Sequence, residues 1–234
     1  MKIYQMTILM CLFQSILFAQ TGKQNDTYVW DLTEFLTISE DSFKLYLYPT
    51  YPLLYGLNKG DTILAEGTVH YESDNFIKLT SIDYEWEAKK NMTIIESVDT
   101  SLNDSIRFRF IFPFDGKYKI TLYLGNDYEN KYEVKDQKEI VIPMYENNTL
   151  TFSFSIRNRK AIEYSNRNYL KIIKFSCLQN IVKNNNSNSF KISIPDLSNS
   201  YFNRFWINGE YLRVSEDKSV LFWHNEKYTR LGKQ

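Results

Sequence analysis

Few side chains in this sequence can move a proton near neutral pH. His70 and His224 are its only histidines. His70 alternates with Leu64, Glu66 and Thr68 and so belongs to a solvent face, while His224 sits in the tight turn His224-Asn225-Glu226. Cys177 is the only cysteine besides Cys11. The sequence therefore offers no His/Cys cluster for a transition metal. It also lacks a Gly-x-Ser-x-Gly elbow, and Gly56 to Thr62 lacks the Gly-Lys-Ser/Thr ending of a phosphate-cradling loop. No metal and no cofactor is expected.

Carboxylates remain. Asp83, Glu85 and Glu87 are spaced by two, which on a strand puts all three on one face, opposite Ile82, Tyr84 and Trp86. Such a row could supply the acid pair of a secreted glycoside hydrolase, or oxygen ligands for Ca²⁺. It could equally pair with Arg107 and Arg109 on a neighbouring strand, each pair contributing about 0.2–1 kcal/mol.

The most specific local signal is Asn208-Gly209 between apolar-rich runs, the signature of a type I′ hairpin. That turn sets Ile207 opposite Glu210, Trp206 opposite Tyr211, Phe205 opposite Leu212 and Arg204 opposite Arg213. Phe205, Ile207, Leu212 and Val214 then form a core face. Trp206, Tyr211, Arg204 and Arg213 share the other face and are the candidate binding residues. Two guanidinium groups set side by side repel, so an anion or acidic sugar bound between them, with Trp206 and Tyr211 as a stacking platform, is one solution. Neutralisation by Glu210, Glu216 or Asp217 is the other.

The elements that must position these residues read as strands. Leu150, Phe152, Phe154 and Ile156 alternate with Thr and Ser, and Ile106 to Phe112 and Lys117 to Leu124 repeat the period. Tyr28 to Ile38, Phe43 to Tyr48, Thr62 to Tyr71, Phe76 to Trp86, Met92 to Val98, Tyr132 to Ile142, Tyr169 to Phe175 and Phe190 to Ile194 add further strands. No stretch of ten or more residues carries a helical period. Turn signals stand at Asn58 to Asp61, Asp115-Gly116, Gly125 to Asp127 and Glu146 to Asn148. The expected fold is all-β: an antiparallel immunoglobulin-like or similar sandwich over 20–160, then a smaller β meander over 161–234, divided at the polar stretch Arg157 to Asn168.

Asp115-Gly116-Lys117-Tyr118-Lys119-Ile120-Thr121-Leu122 resembles the Gly-x-Tyr-x-apolar-x-apolar strand of secreted bacterial immunoglobulin-like sandwich modules. The resemblance implies that Tyr118 packs at the corner between sheets. The chain as a whole is similar to small exported proteins of Gram-negative anaerobes, whose leaders often end in Ala-Gln, as Ala19-Gln20 does here. That similarity implies location and fold class, and no activity.

Residues 1–19 have the layout of an export signal: Lys2, the apolar run Met6 to Phe18, then the small residue Ala19. The run is too short to span a bilayer, so no transmembrane segment is expected. Loss of the signal leaves 27 basic against 28 acidic residues, no footprint for nucleic acid, and Cys177 without a disulfide partner. These features point to an exported, non-catalytic binding or surface-associated protein, periplasmic, cell-surface or extracellular, whose partner is a glycan or another envelope protein. The competing reading is the carboxylate-dependent hydrolase.

Overall fold

The computed structural model describes residues 25–30, 34–47, 62–125, 130–144, 151–160, 170–182 and 186–231. The expected leader, the turns at Asn58 to Asp61 and Glu146 to Asn148, and most of the polar stretch after Arg157 lie outside these residues.

The protein is all-β, 62% strand and 7% helix. Five strands come first: β1 (Asp26–Trp30), β2 (Glu34–Ile38), β3 (Ser42–Leu47), β4 (Thr62–Ser73) and β5 (Phe76–Ser81). Helix α1 (Tyr84–Lys90) leads into β6 (Thr93–Ser97), β7 (Ser105–Ile111), β8 (Tyr118–Leu124), β9 (Asn130–Lys135), β10 (Glu139–Pro143) and β11 (Thr151–Asn158). The chain continues through β12 (Leu170–Lys171), β13 (Lys174–Val182), β14 (Ser189–Ser193), the short helix α2 (Asn199–Asn203) and β15 (Phe205–Trp206). It ends in β16 (Asn208–Val214), β17 (Val220–Trp223) and β18 (Glu226–Arg230).

Eight of these strands close a barrel in the order β1-β18-β17-β16-β5-β4-β3-β2. The meander expected at the C-terminus is present as β16 to β18, but it is not a separate layer. β16 pairs with β5, and β18 pairs with β1 through Tyr28↔Arg230 and Val29↔Thr229. Closure explains the difference: a free meander would leave two open edges, and pairing first strand with last removes both. The division expected near residue 160 thus does not follow the sheets.

Side-chain alternation fills the barrel. Leu36, Ile38, Phe43, Leu45, Ile77, Leu79, Leu212, Leu221 and Tyr228 turn inward and are buried. Glu34 follows the same parity, only 2% exposed, and accepts a 2.6 Å hydrogen bond from the Tyr228 hydroxyl. Trp223 is also a buried part of this core.

Everything between β5 and β15 is an excursion from the barrel. Two four-stranded sheets, β10-β7-β14-β6 and β13-β11-β8-β9, face each other across one aromatic core. Phe108 meets Phe152 edge-on at 4.9 Å between centroids, and Phe110 meets Phe154 at 5.1 Å. All pairings here are antiparallel except β14 with β7. On β11 the outward Ser153 and Ser155 are buried as well as the inward Phe152, Phe154 and Ile156, so this strand is covered on both faces, not half-buried as its alternation suggested. Tyr118 is buried against the edge of Phe112, and its backbone N–H donates to Asp136 Oδ1.

Two local expectations fail for identifiable reasons. Asn208-Gly209 makes no hairpin, because only Gly209 adopts positive φ (+71°) and a type I′ turn needs two such residues. Gly209 instead occupies a bulge where β16 shifts register against β5 between Thr80 and Leu79. The two-residue positive-φ turn falls at His224 and Asn225, joining β17 to β18 with Trp223 opposite Glu226. The strand expected through Trp86 stops at Ser81, and Tyr84–Lys90 is a helix. Its acids lie in the first turn and its lysines in the last, which suits the helix dipole, and the Glu85–Lys89 bond of 2.7 Å spans one turn. Among the described residues, no helix is long and apolar enough to cross a membrane.

Gly67 of β4 stands opposite Ser81 of β5, and a Cβ there would run into the Thr80 carbonyl oxygen. Gly67→Ala is expected to cost about 1–3 kcal/mol through overpacking, read as a lower urea midpoint. A second expectation concerns acid. Hydrogen bonds from Lys131 and Lys119 hold the Glu133 carboxyl at about 2, below its ordinary 4.5. Ser215 and Ser219 do the same for Asp217, from 3.8 to about 2. Both groups take up protons more readily unfolded than folded, so their contribution is complete above about pH 4.5 and falls away as pH drops towards 2. Unfolding of a Glu133→Gln, Asp217→Asn variant should show a flatter pH dependence in that window than the parent; equal slopes would contradict this.

Candidate functional site

At the seam between barrel and two-sheet unit the chain crosses twice, outward after Ser81 and back before Ile207. The two crossings are clasped: Ser81 N–H donates to the Ile207 carbonyl at 2.8 Å, and Ile207 N–H donates to Ser81 Oγ at 3.1 Å. Beside the clasp, Arg204 reaches Glu66 of β4 at 3.2 Å and lies 5.1 Å above the Tyr84 ring. The Tyr84 hydroxyl accepts from Glu66 N–H at 2.7 Å and donates to its carbonyl at 3.3 Å. Burial, the largest influence, pushes the Tyr84 phenol up, which keeps it protonated for this role.

A cleft of about 340 Å³ opens along the seam, lined by Asp83, Glu85, Leu170, Lys174, Tyr201 and Trp206 among others. One wall is the short ladder β12–β15, with Leu170 opposite Trp206 and Lys171 opposite Phe205. The Trp206 side chain is 50% exposed there, a costly position for so large an apolar ring. Helix α1 and its cap also line the cleft through Asp83, Tyr84 and Glu85. Asp83 caps the helix, Oδ1 accepting from Trp86 N–H at 3.0 Å, while Oδ2 has no partner among the described residues. Glu85 Oε1 takes the Lys89 ammonium, and Oε2 accepts Ser176 N–H at 3.2 Å, satisfying the edge of β13. Tyr201 lies beneath, its hydroxyl donating to the Lys174 carbonyl at 3.4 Å. Burial pushes its phenol far up, and the charges of Glu85 and Asp83 add to the effect.

The four candidate binding residues do not form one face. Trp206 lines the cleft and Arg204 lies just behind it, held by Glu66 and Tyr84. Tyr211 and Arg213 sit on the outer barrel wall: Tyr211 is 55% exposed with the Lys78 ammonium 5.6 Å from its ring, and Arg213 stacks 4.3 Å over Phe222. Without the hairpin, Arg204 and Arg213 never meet, so no anion is needed between them. Of the acid row, Asp83 and Glu85 reach the cleft, whereas Glu87 turns to Lys90 at 2.7 Å. Arg107 does not pair with this row; it binds Asp99 at 2.7 Å and Glu139 at 3.4 Å.

Tyr84, Leu170 and Tyr201 were not singled out from sequence. An acidic first turn followed by Lys89-Lys90 was the available signal for α1, and hence for Tyr84 on its inner face. Nothing local marks Leu170 or Tyr201. Among the described residues no group of three or more His, Cys, Asp or Glu could hold a metal ion. The cleft's side-chain charges balance, Asp83 and Glu85 against Lys171 and Lys174. Its lining combines the Trp206 and Tyr201 rings with carboxylates and ammonium groups.

Tyr84→Phe removes both bonds to Glu66 and is expected to lower stability by about 1–3 kcal/mol, measured by urea unfolding of the full chain. Compared with protein-family models, curated proteins and solved structures, the chain matches none.

Proposed function

We propose that the protein is exported under the leader 1–19 and acts as a non-catalytic glycan-binding or envelope accessory module, with the seam cleft as its binding site for a neutral saccharide. The observation that carries this reading is Trp206, half-exposed in a cleft that Asp83 and Glu85 also line. A sugar ring offers one apolar C–H face and a rim of hydroxyls. An indole takes the face, and carboxylates, lysine ammonium groups and tyrosine hydroxyls take the rim. The volume falls within the range of about 300–1,000 Å³ usual for small-ligand clefts.

Charge balance favours a neutral ligand over an acidic sugar, since an anion would meet Asp83 and Glu85 as well as Lys171 and Lys174. Glu85 has both carboxylate oxygens engaged in hydrogen bonds, which suits a fixed acceptor better than a group that must gain and lose a proton. An immunoglobulin-like character for the two-sheet unit would suit an accessory role and is supported by its face-to-face aromatic core. The parallel β14–β7 pairing departs from a purely antiparallel sandwich.

Calorimetric titration of the mature protein with neutral cello-, xylo-, malto- and chito-oligosaccharides tests the reading. At least one series should bind, and Trp206→Ala should weaken it by about tenfold or more, equivalent to ~1.4 kcal/mol, at unchanged melting temperature. Hydrolysis of any of these sugars, abolished by Asp83→Asn, would favour the hydrolase instead. Absence of binding across all four series would remove the glycan reading.

A further inference from the structure

The barrel has a second end, away from the seam. β5 runs from Phe76 at that end to Ser81 at the clasp, and the first residue of β1, the last of β2 and the turns after β4 and β16 gather round the far opening. A cavity of about 460 Å³ opens there, larger than the seam cleft. Its floor is apolar and comes from the barrel core: Ile38, Ile77 and Leu221 are each at most 5% exposed. Tyr28, 4% exposed, belongs to the same core, and Asp26, Asp74, Tyr71 and Lys218 complete the lining.

The polar groups of this cavity differ in kind from those of the cleft. Asp26 is neutralised by an ion pair with Arg230. Asp74, in the β4–β5 turn, has no ion-pair or side-chain hydrogen-bond partner among the described residues. The Tyr28 hydroxyl donates to the Lys218 carbonyl at 3.3 Å, and Tyr71 to the Ser39 carbonyl at 3.4 Å, so both hydroxyl protons are already directed at protein. Asp26 is the charge that acts most strongly on both phenols. Both phenols are raised above their ordinary value, first by burial and next by Asp26, with Glu40 adding at Tyr71 and Arg230 opposing at Tyr28. Among the described residues lining the cavity, Asp26 and Asp74 stand against Lys218, and Arg230 pairs with Asp26.

We propose that this barrel mouth is a second binding site, for a small amphipathic organic cation whose apolar body rests on Ile38, Ile77 and Leu221 and whose ammonium head lies between Asp74 and the rings of Tyr28 and Tyr71. Aromatic rings attract a cation through their quadrupole and repel an anion, and a carboxylate without a partner completes such a site. A closed barrel of eight strands leaves room for one small ligand at its mouth, where polar groups fix the head and core side chains meet the body. A carboxylate of the same length would meet the Asp74 charge and gain nothing from the rings. An alcohol would gain the floor but neither the rings' attraction nor the charge.

The test uses three probes of equal chain length: hexyltrimethylammonium, hexanoate and hexanol, each titrated into the full mature protein by calorimetry and by chemical-shift mapping. The ammonium compound is expected to bind saturably and at least about tenfold more tightly than the other two. Its shifts should centre on Ile38, Ile77 and Leu221. Asp74→Asn and Tyr71→Ala, both at exposed positions, should each weaken it by about tenfold at unchanged melting temperature, and Trp206→Ala should leave it unaltered. Equal binding of hexanoate or hexanol, no saturable binding, or loss on Trp206→Ala in place of Asp74→Asn would each overturn the proposal. Because the probes carry no sugar, failure here leaves the seam cleft untouched, and failure of saccharide binding leaves this site standing.

Discussion

The architecture depends on two backbone positions 126 residues apart meeting at one point. Ser81 and Ile207 exchange two hydrogen bonds, and through them a barrel interrupted by a whole two-sheet unit still closes. The cost is a large loop-closure entropy, though that cost grows only logarithmically with the length of the excursion. What offsets it is burial on both sides: Ile207 and Leu212 enter the barrel core, and Tyr201 and Phe202 enter the other core just before the return. Arg204, between them, is fixed to Glu66 and Tyr84, so the returning segment is pinned in orientation as well as position.

Both candidate sites follow from this closure. A closed barrel has no edges to offer a partner, and binding is left to its two ends. At one end the excursion leaves and returns, and the mismatch between barrel and inserted unit opens the seam cleft. Among the described residues, short turns border the other end, and the barrel's own core side chains line its mouth. Their polar groups differ because their sources differ. The cleft draws its carboxylates from a helix terminus and an edge cap, balanced by lysines, whereas the mouth draws tyrosines and acids from strand ends and turns.

Much of the core was legible in the sequence because period-two alternation survives any choice of partner strand. Phe108, Ile120, Phe154 and Ile192 are inside, as their parity requires, and so are Ile207 and Leu212, although the hairpin that suggested them does not exist. Parity depends on the strand alone; register depends on the neighbour. That is why the face assigned to Phe205, Ile207, Leu212 and Val214 holds while the pairing of Trp206 with Tyr211 and of Arg204 with Arg213 fails. Asp83, Glu85 and Glu87 show the opposite error. Seven residues are too few for a helical period to stand out against alternation, and the charge asymmetry of the first and last turns was the better guide.

By itself the sequence determined the all-β class, the inward and outward faces of most strands, and the shortage of histidine and cysteine, because composition and alternation act locally. Tertiary structure alone decided that β1 would find β18, that the NG pair would become a bulge, and that Trp206 would join Asp83 and Glu85. Each of these outcomes is set by which edges must be satisfied when a sheet closes on itself. An edge carries unpaired N–H and C=O groups whose partners can come from anywhere in the chain, and no local pattern records which.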